Sequence, residues 1–293
     1  MPFNIDKHRA AIYNSSNDFL HETVFNFKDP NARTRCILVI SVALEAVITY
    51  ITTGIFWTEF LRGYHMEPAQ IGILAFSPFI AGLFVIFAPS LLTRFKKRRF
   101  VLAACKLLYY ICSIFALTLL PHFVTNATTL IICMSVLQFI AYVFNIIAVS
   151  GYAAWHVKFL PERMRAHYMT FNQFAAAILP GVLMMFVAMY ADKISSMPTD
   201  LLAFWEFVRH FGFALGILDI ILLSLPREVD YPVIHTPKFR DIITIPISNK
   251  KYMLVMVVVF AWQFSLYCHN TFLQVYLMDT VGVSYFLYCF VIF

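Results

Sequence analysis

Charge is scarce in this sequence. Only 13% of its 293 residues are Asp, Glu, Lys or Arg, where a soluble domain carries about 25%. Hydrophobic residues make up 61% of the chain and mean hydropathy is +0.75. No water-soluble fold of this length hides so much apolar surface, so the solvent is lipid. Glycine is also sparse: of nine, no two stand closer than four positions. A GxGxxG or other phosphate-cradling loop is thereby excluded. The nine histidines form no HExxH or HxxxH, the six cysteines no CxxC, and no GxSxG occurs. Zinc chemistry, a disulfide framework, nucleotide-driven transport and the familiar hydrolase motifs gain no support, and no prosthetic cofactor is expected.

What the chain does have is long apolar runs. A helix needs about 20 apolar residues to cross a bilayer. Seven stretches qualify: 36–58, 69–92, 100–120, 128–150, 169–191, 205–225 and 252–277, with an eighth begun near 283. The net charge of +6 sits in short segments between these runs, which is a topology signal and not a nucleic-acid surface. Eighteen of the 22 Lys and Arg residues fall in segments on one side: the N-terminal segment, 93–99, 158–165 and 226–251. Arg62, Lys193 and Arg209 fall on the other side, and Lys106 lies within the third run. The excess of basic residues on the cytosolic side therefore predicts a cytosolic N-terminus. No apolar core precedes a small-residue cleavage site in the first 35 residues, so no cleaved signal peptide is expected.

The expected fold is all-α and polytopic, with seven transmembrane helices and the start of an eighth. Residues 1–35 read as a cytosolic N-terminal segment and 36–225 as a six-helix transmembrane bundle. Segment 226–251, with Pro226, Pro232, Pro237 and Pro246, reads as a cytosolic linker. Residues 252–293 read as the beginning of a second, truncated bundle.

Two loops carry a family resemblance. Pro89-Ser90-Leu91-Leu92-Thr93-Arg94-Phe95-Lys96-Lys97-Arg98 resembles the helix 2–3 loop of the major facilitator superfamily, G-x-L-x-D-R-x-G-R-R/K. Leu91, Arg94, Lys97 and Arg98 match. Pro89, Thr93 and Lys96 replace the first glycine, the aspartate and the second glycine. Trp155, Pro161 and Arg165 resemble the W…P-x-x-x-R pattern of the helix 4–5 loop in bacterial members. The resemblance implies a secondary active transporter of the cell (inner) membrane, moving a small solute by alternating access around a cavity lined by helices one, four and seven. It implies cytosolic-gate roles for Arg94, Lys97, Arg98, Pro161 and Arg165. Thr93 cannot make the family's aspartate latch, and Leu179-Pro180-Gly181 does not reproduce the antiporter run G-P-x-x-G-G.

Polar side chains within lipid are costly and should face a cavity or a partner. Glu45, Thr49 and Thr52 share one face of the first helix, Gln138 and Asn145 one side of the fourth. Gln263, Asn270 and Gln274, with His269 beside them, mark the seventh. Two readings of Glu45 stay open: a carboxylate that couples transport to a proton or cation, or a pairing group held by Lys106 or a helix-seven residue. The amides either bind solute or join helices. Lys106 and Asp219, each about six residues from a cytosolic helix end, are candidates to pair. Gly212-x-x-x-Gly216 fits close helix packing, and Pro78, Pro89 and Pro180 are expected kinks. The partners implied are a small-molecule solute, a coupling proton or cation and the lipid bilayer, with oligomeric state open. A transport-incompetent fragment, an assembly or interaction protein, and a membrane-embedded enzyme are the alternatives.

Overall fold

A computed structural model describes residues 30–95, 97–159, 165–226, 244 and 247–292, except for the side chains of 30–31, 155–159, 198, 266–272 and 279. Among the described residues the chain is all-α. Six helical spans have the length and apolarity to cross a bilayer: Ala32–Gly63, Pro68–Leu92, Arg99–Phe123, Ala127–Ala154, Arg165–Ile194 and Thr199–Ser224. The shortest, at 25 residues, extends about 37 Å at 1.5 Å per residue, which exceeds the ~30 Å hydrocarbon layer. The seventh helix, Lys250–Asp279, is capped by Asn249, whose Oδ1 accepts from the backbone N–H groups of Lys251 and Tyr252. The eighth is Tyr285–Ile292.

The helices outrun the apolar stretches that announce them. The first begins at Pro30, so the expected N-terminal segment gives up its last residues to a helix, and 1–29 lie outside the described residues. The sixth begins at Pro198, not at 205, because proline at the first turn has no N–H to lose and is preset for helix. Arg209, counted on the outer side at the start of the run 205–225, is consequently eleven residues into that helix and lies within the span. Of the expected linker 226–251, residues 227–243 and 245–246 lie outside the described residues.

The first span packs on the fifth and sixth, the second on the fourth, and the third on the fourth and sixth. Lipid tails are as apolar as leucine, so close approach and polar bonds must hold such helices together. The Gly212/Gly216 pair supplies the approach. A Cβ on Gly212 would stand 2.7 Å from Thr52 Cγ2, and one on Gly216 2.8 Å from the Tyr110 ring. Outward faces carry large apolar side chains such as Phe76, Phe174 and Phe186, each 60% exposed, as lipid contact requires.

Three irregularities interrupt the spans. The first span breaks at Thr53, and Gly54 takes a positive φ of 61° that disfavours any side chain. The second narrows to a 3₁₀ stretch at Leu83–Phe87 before Pro89, whose ring clashes with a carbonyl four residues back. The third widens into a π-helical turn at Ile111–Ala116.

At the end of the bundle opposite the basic loops, Asp192 of the fifth span caps the eighth helix. Its carboxylate accepts from the N–H groups of Tyr285 (2.8 Å) and Phe286 (2.9 Å). Tyr285 also donates its hydroxyl to Glu59 of the first span at 2.7 Å. Tyr64, just past the first span, donates to Glu206. Burial, and then that carboxylate, hold its phenol above the ordinary range.

Candidate functional site

The helix break and the π turn face each other across a half-open cavity of about 430 Å³. Thr52, Thr53, Gly54, Trp57 and Thr58 line it from the first span, and Pro78 and Phe79 from the second. Tyr109 and Ser113 come from the third, Gln138 and Tyr142 from the fourth, Arg209 from the sixth and Gln274 from the seventh helix. The three threonine hydroxyls spend their protons on their own helix, donating to Ile48, Thr49 and Gly54 carbonyls. Each keeps an acceptor lone pair.

Arg209 dominates this cavity electrostatically. It is 2% exposed and sits mid-helix, where an arginine in lipid is expensive. Its Nη1 donates to the Thr52 carbonyl at 3.0 Å and its Nη2 to the Ser113 carbonyl at 2.8 Å, with Ile114 at 3.5 Å. Its Nε donates to Thr118 Oγ1 at 2.7 Å. Thr52 precedes the helix break, and Ser113 and Ile114 lie in the π turn. Interrupted or widened ladders leave carbonyls free to accept from outside, so the two defects supply the acceptors. The guanidinium also lies over Trp57 (4.4 Å) and Phe60 (4.9 Å), a cation–π arrangement. Every partner is neutral: among the described residues no carboxylate lies within ion-pair distance of Arg209.

A second centre lies toward the basic-loop end. Lys106 Nζ, 2% exposed, bridges Asp219 at 2.8 Å and Glu45 at 3.0 Å. Asp219 is wholly buried and accepts further hydrogen bonds from the hydroxyls of Ser41 and Tyr110. Its lone pairs are well used. Glu45 is different: its side chain is 35% exposed, and it accepts from Lys106 Nζ through one oxygen, Oε2. Cation and anions thus join the first, third and sixth spans.

The expected site residues divide. Gln138 lines the cavity, 6% exposed, with an Oε1 that has no hydrogen-bond partner among the described residues. Asn145 lies two turns further along the fourth helix and away from the cavity, its Oδ1 likewise unpartnered. Glu45 and Thr49 are off the cavity wall; Thr49 is exposed and donates to the Glu45 carbonyl. Gln263 faces a separate, outward groove between the seventh helix and the second and fourth spans. The side chains of His269 and Asn270 fall outside the described residues; Gln274, one turn on, reaches the cavity and Thr58. The wall is also wider than helices one, four and seven, since the second, third and sixth spans contribute.

Of the loop residues, Arg94 and Lys97 are exposed, Arg98 is half-buried in the 2–3 turn, and Arg165 opens the fifth helix. Pro161 lies outside the described residues. Arg99, at the start of the third span, donates to the carbonyl of Pro226, just past the sixth span, at 3.1 Å. The residues missed from sequence are Arg209, Trp57 and Tyr109. Pro198 with Asp200 was the available signal, because a helix started there carries Arg209 into the membrane. No family model matches this chain, and no curated protein or solved structure matches it.

Proposed function

We propose that the chain is a carrier: a secondary transporter resembling the major facilitator superfamily, moving a small solute across the cytoplasmic membrane by alternating access. The observation that carries the reading is a cavity of mixed aromatic and polar lining inside apolar spans, built at a broken helix and holding a buried cation. Irregular backbone at membrane depth is tolerated where it lines a cavity, and broken helices mark transporter binding sites. The basic 2–3 turn supports a cytosolic N-terminus. Lys106 separates the roles of two carboxylates: Asp219 holds helices together, and partly exposed Glu45 is the carboxylate that couples transport to a proton or cation.

A second reading is an assembly or interaction protein that moves nothing itself. It is favoured by the seventh helix, exposed around its whole circumference from 251 to 265. The test uses Thr53→Cys, on the cavity wall, in a chain whose native cysteines are replaced. A membrane-impermeant thiol reagent applied to either face of sealed vesicles should label it from both sides. Labelling from one side alone would remove alternating access.

A further inference from the structure

We infer that Arg209 is the recognition group for the carboxylate of a small organic acid, held in the cavity between the first, third and sixth spans. The inference rests on reading that cavity as the solute site. Three observations carry it. Arg209 is 2% exposed, yet among the described residues its guanidinium has only neutral acceptors and aromatic faces as partners, so its charge is solvated but not cancelled. Three hydrogen bonds at 3.0 Å or less and one at 3.5 Å leave one of its five N–H donors unassigned. The cavity it lines, about 430 Å³, falls in the range that takes small ligands.

Chemistry of the wall narrows the solute. One cation balances one negative charge, so a monocarboxylate leaves the interior neutral, while a phosphate dianion would leave it negative in a low-dielectric medium. Trp57, Phe79, Tyr109 and Tyr142 offer aromatic surface for the acid's carbon skeleton. A chloride ion would leave nearly all of that surface empty. Gln138 Oε1, buried and unpartnered, adds an acceptor for a hydroxyl or amine elsewhere on the acid. The rigid fork of carbonyls around the guanidinium fixes its orientation before the solute arrives, which lowers the ordering cost of binding.

The experiment uses the purified full chain in lipid nanodiscs. Aliphatic and aromatic monocarboxylates of two to ten carbons are compared with their matching carboxamides, with chloride and with inorganic phosphate. Thermal stabilisation and quenching of Trp fluorescence are the readouts, Trp57 lying against the guanidinium. At least one carboxylate should bind saturably and at least about tenfold more tightly than its amide. That preference should vanish in Arg209→Gln and persist, weakened, in Arg209→Lys, which keeps the cation but not the fork. The comparison of acid with amide on the unaltered chain needs no variant to fold. Equal binding of acid and amide, no binding by any acid, or stabilisation by chloride or phosphate alone overturns the assignment. Saturable acid binding in a chain whose Thr53→Cys variant labels from one face only would keep this inference and discard the carrier.

Discussion

Replacing Lys106 with methionine should be among the most damaging single changes to the bundle. Methionine keeps most of the length and apolar stem but removes the charge that Asp219 and Glu45 share at 2.8 and 3.0 Å. Asp219, fully buried, keeps its bonds from Ser41 and Tyr110 but loses its counter-ion. Breaking a buried pair by removing one partner costs about 3–5 kcal/mol, or about two to three and a half decades in the folding equilibrium at 1.4 kcal/mol per decade. Glu45→Gln should cost far less, on the order of 1 kcal/mol or below, because its side chain is partly exposed and Lys106 retains Asp219. Lys106→Met with Asp219→Asn removes both buried charges. The double variant should then be less unstable than the two single effects added together, by about 0.5–3 kcal/mol. Equilibrium unfolding in mixed micelles of rising SDS fraction measures all four. If Glu45→Gln proves as harmful as Lys106→Met, or if the double variant is strictly additive, the division between a holding carboxylate and an exchanging one is wrong.

Gly216→Ala pushes a methyl to within 2.8 Å of the Tyr110 ring and should cost about 1–3 kcal/mol. Gly82→Ala, with nothing within 4 Å, should be neutral or stabilising; the same unfolding assay compares them. Asp192→Ala removes the cap on the eighth helix and should weaken it by about 1 kcal/mol. Faster amide exchange over 285–290 would be the sign. Tyr64, whose phenol holds its proton above the ordinary range when folded, contributes stability that is complete below about pH 10, the unfolded value. That contribution falls as pH rises through the folded value, so alkaline destabilisation should be smaller in Tyr64→Phe. Equal alkaline loss in both proteins would count against it.

The spans were legible because apolar length is a one-dimensional property. Their ends were not, since amphipathic and proline-initiated turns such as Pro198–Leu201 carry little hydropathy of their own. The Lys106–Asp219 pair could be anticipated from depth alone: each sits about six residues inside a helix end, and lipid forces such charges together. Polar stripes fared less well. A spacing of seven puts Gln138 and Asn145 on one side of a helix but says nothing of the depth at which a cavity opens, and only Gln138 reaches it. Arg209 was misplaced by an error of seven residues in a helix start. Its acceptors depend on a π turn at 111–116 and a break at Thr53. The π turn has no pattern in the local sequence, and Gly54 at the break is a lone glycine in an apolar run, which does not by itself fix an interruption.

Everything rests on the spans crossing lipid with the basic turns on the cytosolic face. In a chain without its native cysteines, Lys97→Cys in the 2–3 turn and Thr125→Cys in the 3–4 turn, both exposed, can be probed with an impermeant thiol reagent in intact cells and in inverted vesicles. The account predicts that Thr125→Cys reacts only in intact cells and Lys97→Cys only in inverted vesicles. Reaction of both from one face, or the reverse pattern, would contradict it.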